Sequence, residues 1–358
     1  MPDLFQPLSF KSGSFAKNRF MLAPLTNQQS HADGRLSDDE YHFLTMRAKG
    51  GFGITMTCAS HVQKAGQGFA GQLGCFSDDH LEGLTRLAAG IKAENSLAML
   101  QLHHAGMRSP KDVIGQQPVC PSDHAETGAR ALTIEEIGQL KEDFLLAAER
   151  AEKAGFDGVE LHGAHGYILC QFLSPTINQR TDRYGGSLEN RSRIIFELVD
   201  GVRARCRPGF LLGVRLSPER FDMKLAEVIE VARRLMSEAK IDFLDMSLWD
   251  SFKEPIEEEF QGRSLLSYFT ELDRGEVRLA TAGKINTPDD ARRCVEAGAD
   301  FVVLGRAAIL HHDFPLRMAE NPDFEPVRIP VTSDYLRKEG LGEPFIKYMG
   351  NWKGFVGD

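Results

Sequence analysis

The sequence has no C-x-x-C pair. Its six cysteines, Cys58, Cys75, Cys120, Cys170, Cys206 and Cys294, are scattered along 358 residues, which argues against an iron–sulfur cluster and a cysteine zinc site. They read as core thiols, and such a low density fits a reducing compartment where disulfides are not used as staples. Long hydrophobic runs are missing as well: no stretch approaches the roughly 18 apolar residues of a spanning helix. The N-terminal MPDLFQPLSF has neither a basic n-region nor an apolar h-region. The expectation is a cytoplasmic protein with no membrane partner. Basic charge is in deficit, with Lys+Arg 42 against Asp+Glu 51 and a net charge of -9. Without a Lys/Arg run to override it, that balance repels a phosphate backbone and excludes nucleic acid as a partner. What remains is ordinary soluble globular composition, 42% hydrophobic and 26% charged, with ample material for a core.

Short apolar runs rich in branched residues alternate with segments of helical period up to about residue 320. The runs are Arg19–Thr26, Gly53–Ala59, Leu97–His103, Gly158–His162, Leu211–Ser217, Phe243–Ser247, Val277–Ala282 and Phe301–Leu304. Several helix starts are legible. Ser37-Asp-Asp-Glu40 and Thr133-Ile-Glu-Glu136 have the spacing of capping boxes, and Thr287-Pro288 places an N-cap before proline at the first helical position. An eightfold strand–helix alternation predicts an α/β fold, a (β/α)₈ TIM barrel, with a doubly wound sheet as the alternative. The length admits two domains, yet barrels reach this size; the expectation is a single domain over 1–358 with 321–358 as a C-terminal tail. The excess over a typical barrel falls in long βα segments at Gly106–Ala131, Gly166–Gly186 and Trp249–Gly275, which are expected to wall the catalytic face. The tail segment Ser333–Phe355, rich in aromatic and basic residues, reads as a lid or a subunit contact.

Side chains along a barrel strand alternate between interior and helix layer. In Leu97–His103, Ala98, Leu100 and Leu102 form the outward apolar face, leaving Met99, Gln101 and His103 inward. The same parity sends Glu160 and His162 inward from the fourth run, and Leu211, Gly213 and Arg215 from the fifth. Gln101, His162 and Arg215 thus converge at the C-terminal ends of the strands. A self-satisfied polar plug is the bland alternative, because buried charge needs partners in any case; a bound ligand explains all three residues together.

Ala282-Gly283-Lys284 and Leu304-Gly305-Arg306 close the last two strands. In barrels these loops commonly hold a phosphate on backbone N–H groups, and Arg306 adds a fixed charge; two tight turns are the alternative. Gly66-Gln-Gly-Phe-Ala-Gly71 fits G-x-G-x-x-G but opens no helix, so the dinucleotide reading fails on context. The sharpest cluster is His162-Gly-Ala-His165-Gly-Tyr167. With Glu160 it offers three metal ligands, though without the H-E-x-x-H pattern. Alternatively, two imidazoles donate hydrogen bonds to a substrate oxygen while the tyrosine hydroxyl supplies a proton.

These residues fall in a pattern that resembles the Old Yellow Enzyme family of FMN-dependent ene reductases over nearly the whole chain. It rests on Lys17-Asn-Arg19 with Ala23-Pro24-Leu25-Thr26, on Gln101-Leu-His-His-Ala-Gly106, and on Glu160 through Tyr167 continuing to Gln171-Phe-Leu-Ser-Pro175. The most specific element is Asp182-Arg-Tyr-Gly-Gly-Ser-Leu-Glu-Asn-Arg191, and Val214-Arg215, Gly283 and Leu304-Gly305-Arg306 complete it.

The resemblance implies FMN across the barrel mouth, bound by Pro24, Thr26, Ala59, Gln101, Arg215, Gly283, Gly305 and Arg306. It implies that Arg215 stabilises charge on the N1/C2 side, that Gln101 meets the ring's polar edge, and that Thr26 tunes the potential near O4. It makes His162 and His165 the holders of a carbonyl or nitro oxygen while flavin N5 delivers hydride to the β-carbon, and Tyr167 the proton donor to the α-carbon. The substrate is then a small molecule with an activated alkene (an unsaturated carbonyl, maleimide or nitro compound), NAD(P)H the reductant, and no metal is involved. Homo-oligomer formation stays open. A subgroup of the family has cysteine where this chain has Thr26 and tyrosine where it has Gln28, so the resemblance assigns no subgroup. Larger dienoyl-CoA-reducing relatives carry an iron–sulfur cluster, for which this sequence has no cysteine cluster. Two other functions remain: a metal-assisted barrel lyase or aldolase on Glu160, His162 and His165, and a non-catalytic flavin-binding protein.

Overall fold

In the computed structural model, which describes residues 3–357, the apolar runs form β1 (Phe20–Leu22), β2 (Ile54–His61), β3 (Leu97–His103), β4 (Gly158–Gly163), β5 (Leu211–Leu216), β6 (Phe243–Ser247), β7 (Arg278–Ala282) and β8 (Phe301–Leu304). Each pairs in parallel with the next, and β8 pairs with β1, so the sheet closes into a (β/α)₈ barrel and not a doubly wound sheet. The first strand is shorter than the Arg19–Thr26 run suggests. Ala23 still donates to the Leu304 carbonyl, but Pro24 has no N–H with which to continue the ladder.

The outer layer comprises α1 (Asp38–Lys49), α2 (Leu81–Ala93), α3 (Ile134–Lys153), α4 (Leu188–Arg205), α5 (Leu225–Glu238), the single turn α6 (Ser267–Thr270), α7 (Pro288–Glu296) and α8 (Arg306–Leu310). Thr133 with Glu136 and Thr287 with Asp290 form complete capping boxes. Ser37 caps α1 by accepting from the Glu40 N–H at 3.1 Å, but Glu40 does not close the box. Its carboxylate turns inward, fully buried, to accept from Asn27 Nδ2 at 3.0 Å and from the Ser30 hydroxyl. Tertiary hydrogen bonding outcompetes the local cap here, and burial raises the Glu40 pKa.

Parity within the strands is as the sequence implies. Ala98, Leu100, Leu102, Val159, Leu161, Leu212 and Val214 pack against the helices, whereas Met21, Ile54, Met56, Met99, Leu211, Phe243, Phe301 and Val303 fill the barrel interior. The N-terminal end is stoppered by Phe10, carried on a hairpin that pairs Leu8–Ser9 with Phe15–Ala16. Its ring lies 6.1 Å from Phe243 and 6.2 Å from Phe301. With the bottom closed by apolar contacts, the inward polar residues cluster toward the other end.

All six cysteines are free and buried. No helix among the described residues is long and apolar enough to cross a membrane. The tail supplies two helices, Ser333–Lys338 and Glu343–Gly350. Phe345 packs on Phe43 of α1 at 5.2 Å, and the Gly342 N–H donates to Gln29 Oε1 at 2.7 Å, so the tail lies against the barrel and ends beside its mouth.

Candidate active site

The sheet register brings the inward polar residues together: Gln101 lies beside Glu160, His162 beside Arg215, and Arg215 beside Asp245. Gln101 Nε2 donates to Glu160 Oε2 at 2.6 Å, and Arg215 Nε lies 2.9 Å from Asp245 Oδ2. Glu160 and Asp245 are both raised above the usual carboxylate range, chiefly by burial; Asp245 adds repulsion at Glu160, while the Arg215 guanidinium opposes the rise at both. This set does not satisfy itself. Among the described residues, Glu160 Oε1, both Asp245 carboxylate oxygens and Arg215 Nε have no aligned hydrogen-bond partner, which is not how a purely structural polar plug is built.

His162 and His165 sit at the end of β4 and just beyond it. His162 Nδ1 accepts from the Ala164 N–H at 3.3 Å, so its proton is on Nε2, which faces His165 Nδ1 at 3.3 Å. His165 Nε2 then donates to Ser247 Oγ at 2.7 Å. Both ring N–H groups are thus engaged with protein partners, and a substrate oxygen has to compete for them. Burial, foremost, lowers both pKa values well below the ordinary histidine range, so both rings are neutral at neutral pH. His165 is held at φ +61, its N–H donating to Ser217 Oγ at 3.0 Å and its carbonyl accepting from Arg108. The structure around it sustains this left-handed conformation.

Tyr167 follows on the same loop. Its ring lies 5.1 Å from that of His162 and 4.3 Å from that of His103, with the Arg108 guanidinium 4.8 Å over it. Burial raises the phenol above its ordinary value, so the hydroxyl is protonated throughout the neutral range.

Beside this cluster a cleft of about 340 Å³ is lined by Pro24, His165, Arg215, Gly283, Gly305 and Arg306, among others, with Trp352 from the tail on its edge. A Cβ on Gly305 would approach nothing closer than Leu25 Cδ2 at 3.7 Å, so the glycine leaves its face of the cleft open. The first N–H groups of α8 have no carbonyl within their own helix, as at any helix start. Cationic Arg306, the backbone N–H groups at the start of α8 and the Arg215 guanidinium suit a ligand with a phosphate at one end and a polar heterocycle at the other, and FMN fits that description.

Five of the eight residues expected at FMN therefore meet in one cleft: Pro24, Arg215, Gly283, Gly305 and Arg306. Gln101 and Ala59 are paired neighbours in β3 and β2 and, with Thr26, stand outside that lining. Sequence reasoning does not single out Asp245 and Ser247, although parity applied to Phe243–Ser247 would have turned both inward with Phe243. Trp352 falls in the aromatic-rich Ser333–Phe355 segment expected as a lid or subunit contact, but no local pattern directs it to the cleft. The Asp182–Arg191 signature proves to be scaffold. Arg191, nearly buried, donates to the Leu173 carbonyl and pairs with Glu227 at 2.6 Å, while the Tyr184 hydroxyl donates to Glu197 at 2.8 Å. The ligand atoms of Glu160, His162 and His165 do not converge; among the described residues the group that does is His312, Asp313 and Glu339.

A closed barrel with its polar and titratable residues at the C-terminal ends of the strands defines a class, the (β/α)₈ barrel enzymes. The chain belongs to the NADH:flavin oxidoreductase / NADH oxidase family, which it matches over residues 3–324. It is 34% identical to the probable NADH-dependent flavin oxidoreductase YqiG of Bacillus subtilis strain 168, with 99% of this chain and 97% of that protein covered. It is 33% identical to an NADPH dehydrogenase of Bacillus velezensis, covering 92% and 98% respectively. Among solved structures it superposes on the old yellow enzyme homologue from Zymomonas mobilis with a TM-score of 0.81 and 28% identity, covering 97% of this chain and 99% of that one. Other relatives are longer: the chain spans 36% of an NADH:fumarate oxidoreductase of Klebsiella pneumoniae, at 31% identity. The protein is an FMN-dependent NAD(P)H oxidoreductase of the Old Yellow Enzyme type.

Proposed function

We propose that the protein reduces activated C=C bonds of small unsaturated carbonyl, maleimide or nitro compounds in the cytoplasm. The observation that carries this reading is the packing of Tyr167 against His162, ring centroids 5.1 Å apart, with His165 bonded to His162 and lining the cofactor cleft. FMN supplies the two-electron chemistry that links NAD(P)H oxidation to alkene reduction. In this reading Pro24, Thr26, Ala59, Gln101, Arg215, Gly283, Gly305 and Arg306 hold it, with Arg306 and the glycine turns on the phosphate and Arg215 on the ring's electron-rich side.

His162 and His165 bind the substrate's activating oxygen by turning N–H donors toward it, which polarises the alkene as charge develops on that oxygen. Ser247 is then the group that His165 releases. Tyr167 holds the proton destined for the α-carbon. The pre-existing His162–His165–Ser247 chain keeps the rings oriented before substrate arrives.

Heat-denatured protein is expected to release FMN, resolved by chromatography; FAD or a covalently retained flavin would contradict the cleft assignment, because Gly283, Gly305 and Arg306 provide a single terminal phosphate site and no adenosine fingerprint accompanies them. Replacing His162 or His165 with Ala is expected to weaken binding of a phenol or enone, followed by flavin absorbance, while FMN content stays at the wild-type level. Loss of FMN together with ligand affinity would move these histidines from the substrate to the cofactor.

A further inference from the structure

Behind Tyr167 lies a buried histidine that the reaction above does not use. His103, the last residue of β3, meets the Tyr167 ring edge-to-face, with centroids 4.3 Å apart and planes at 82°. Its tautomer is fixed by Gln72. Gln72 Oε1 accepts from the Gly68 N–H at 2.6 Å, so the amide nitrogen points the other way, donating to the Ala59 carbonyl at 2.5 Å and facing His103 Nδ1 at 3.1 Å. A backbone N–H only donates and a carbonyl only accepts, so the amide cannot be flipped. His103 Nδ1 is therefore the acceptor and the ring proton is on Nε2, which has no hydrogen-bond partner among the described residues. An aromatic ring is a recognised weak acceptor for such an N–H, and Tyr167 is the phenol against which this histidine packs edge-to-face.

The loop that carries Gln72 is the one holding the G-x-G-x-x-G pattern, and the same geometry accounts for its first two glycines without a nucleotide. A Cβ at Gly68 would stand 3.3 Å from His103 Cε1, and one at Gly66 would stand 2.3 Å from His104 Cδ2. Glycine at both positions lets the loop lie directly on the two imidazoles.

We propose that His103, locked in one tautomer by Gln72 and backed by the Gly66–Gly71 loop, is a positioning residue that sets the orientation of the Tyr167 phenol for proton delivery. The proposal rests on Tyr167 as the proton donor. His103 itself touches neither alkene nor cofactor in this scheme. Through the Gln72 amide and the His103 ring, the loop after β2 is linked to Tyr167 on the loop after β4. A displacement of order 1 Å in the hydroxyl is enough to cost about 10²-fold in rate.

The test uses the full-length FMN-loaded enzyme and two variants. Gln72→Glu keeps the shape but removes the two-proton amide donor. An ionised carboxylate draws the ring proton to Nδ1, and a protonated one has a single O–H for the Ala59 carbonyl and His103 together, so in either form the tautomer lock is lost. Gly68→Ala sets a carbon 3.2 Å from Ala105 Cβ and 3.3 Å from His103 Cε1, pressing on the ring while removing no donor or acceptor of the Gln72 network. Either is expected to slow reoxidation of the reduced enzyme by 2-cyclohexenone by about 10- to 100-fold, with reduction by NADH and reoxidation by a quinone unchanged. In a Tyr167→Phe background the same substitutions should cost less than about two-fold, because there is no phenol left to orient. An equal loss in both backgrounds shows a merely structural role and overturns the proposal, as does full enone activity in FMN-replete Gln72→Glu and Gly68→Ala. Should Gln72→Glu fail to hold FMN, Gly68→Ala decides. Should Tyr167→Phe alone leave enone reoxidation intact, the proton-donor reading falls and takes the positioning role with it.

Discussion

Replacing Tyr167 by Phe is expected to leave anaerobic reduction of the yellow enzyme by NADH or NADPH near the wild-type rate while slowing reoxidation by a simple enone by roughly 10²–10⁴-fold, the usual cost of a lost general acid. The two half-reactions separate because only the second delivers a proton to carbon. A quinone is protonated on oxygen, where water substitutes, so it should be spared. Burial keeps the phenol protonated, so the wild-type enone rate should not rise or fall with a tyrosine titration anywhere near neutral pH. Stopped-flow traces of both half-reactions measure the split. Equal slowing of flavin reduction and enone turnover would make Tyr167 a packing residue and remove it from the chemistry.

The second large effect is expected at Arg215. Changing it to Leu leaves Asp245 and Glu160 buried without their cation, and breaking a buried pair from one side typically destabilises by about 3–5 kcal/mol. The pH dependence has a definite sign. A carboxyl whose folded-state pKa lies above its unfolded value stabilises the fold fully below the unfolded value, and that contribution disappears as pH rises through the raised one. Both carboxyls are raised already, and in the wild type Arg215 opposes the rise. Without it the variant should lose stability steadily as pH climbs from about 4, the ordinary carboxylate range, into the alkaline range, more steeply than the wild type.

Thermal unfolding across pH, with and without added FMN, measures this. The Arg215→Leu, Asp245→Leu double variant should recover part of the loss, because it removes the carboxylate paired directly with Arg215 and its repulsion of Glu160, and leaves Glu160 as the one stranded carboxyl. A loss that is flat with pH, or a single variant as stable as wild type at pH 8, would mean that water reaches the pair and that the polar layer is not sealed.

Much of the fold and part of the site is legible in the chain because the signals are local and periodic. Alternation in Leu97–His103 and Leu211–Leu216 assigns inward and outward faces correctly, since a strand's side chains must alternate, and Thr133-Ile-Glu-Glu136 caps its helix with its own atoms. Where the prediction and the structure part, a distant partner has intervened. Glu40 abandons its cap for Asn27 and Ser30. In β2 the register shifts between Met56 and Ala59, so Ala59 pairs with Gln101 after a bulge that no alternation pattern announces.

The sequence by itself determined the eight strand–helix repeats, the convergence of Gln101, His162 and Arg215, and the family motifs that point to FMN. Only the tertiary structure decided that the sheet closes, that Asp245 completes the polar layer, that Trp352 reaches the cleft from the far end of the chain, and that the signature at Asp182–Arg191 braces a loop and does not contact the cleft. Periodicity and capping are properties of neighbouring residues, whereas closure, charge pairing and the lining of a cleft depend on which atoms arrive from elsewhere in the chain, and that is settled only when the barrel has packed.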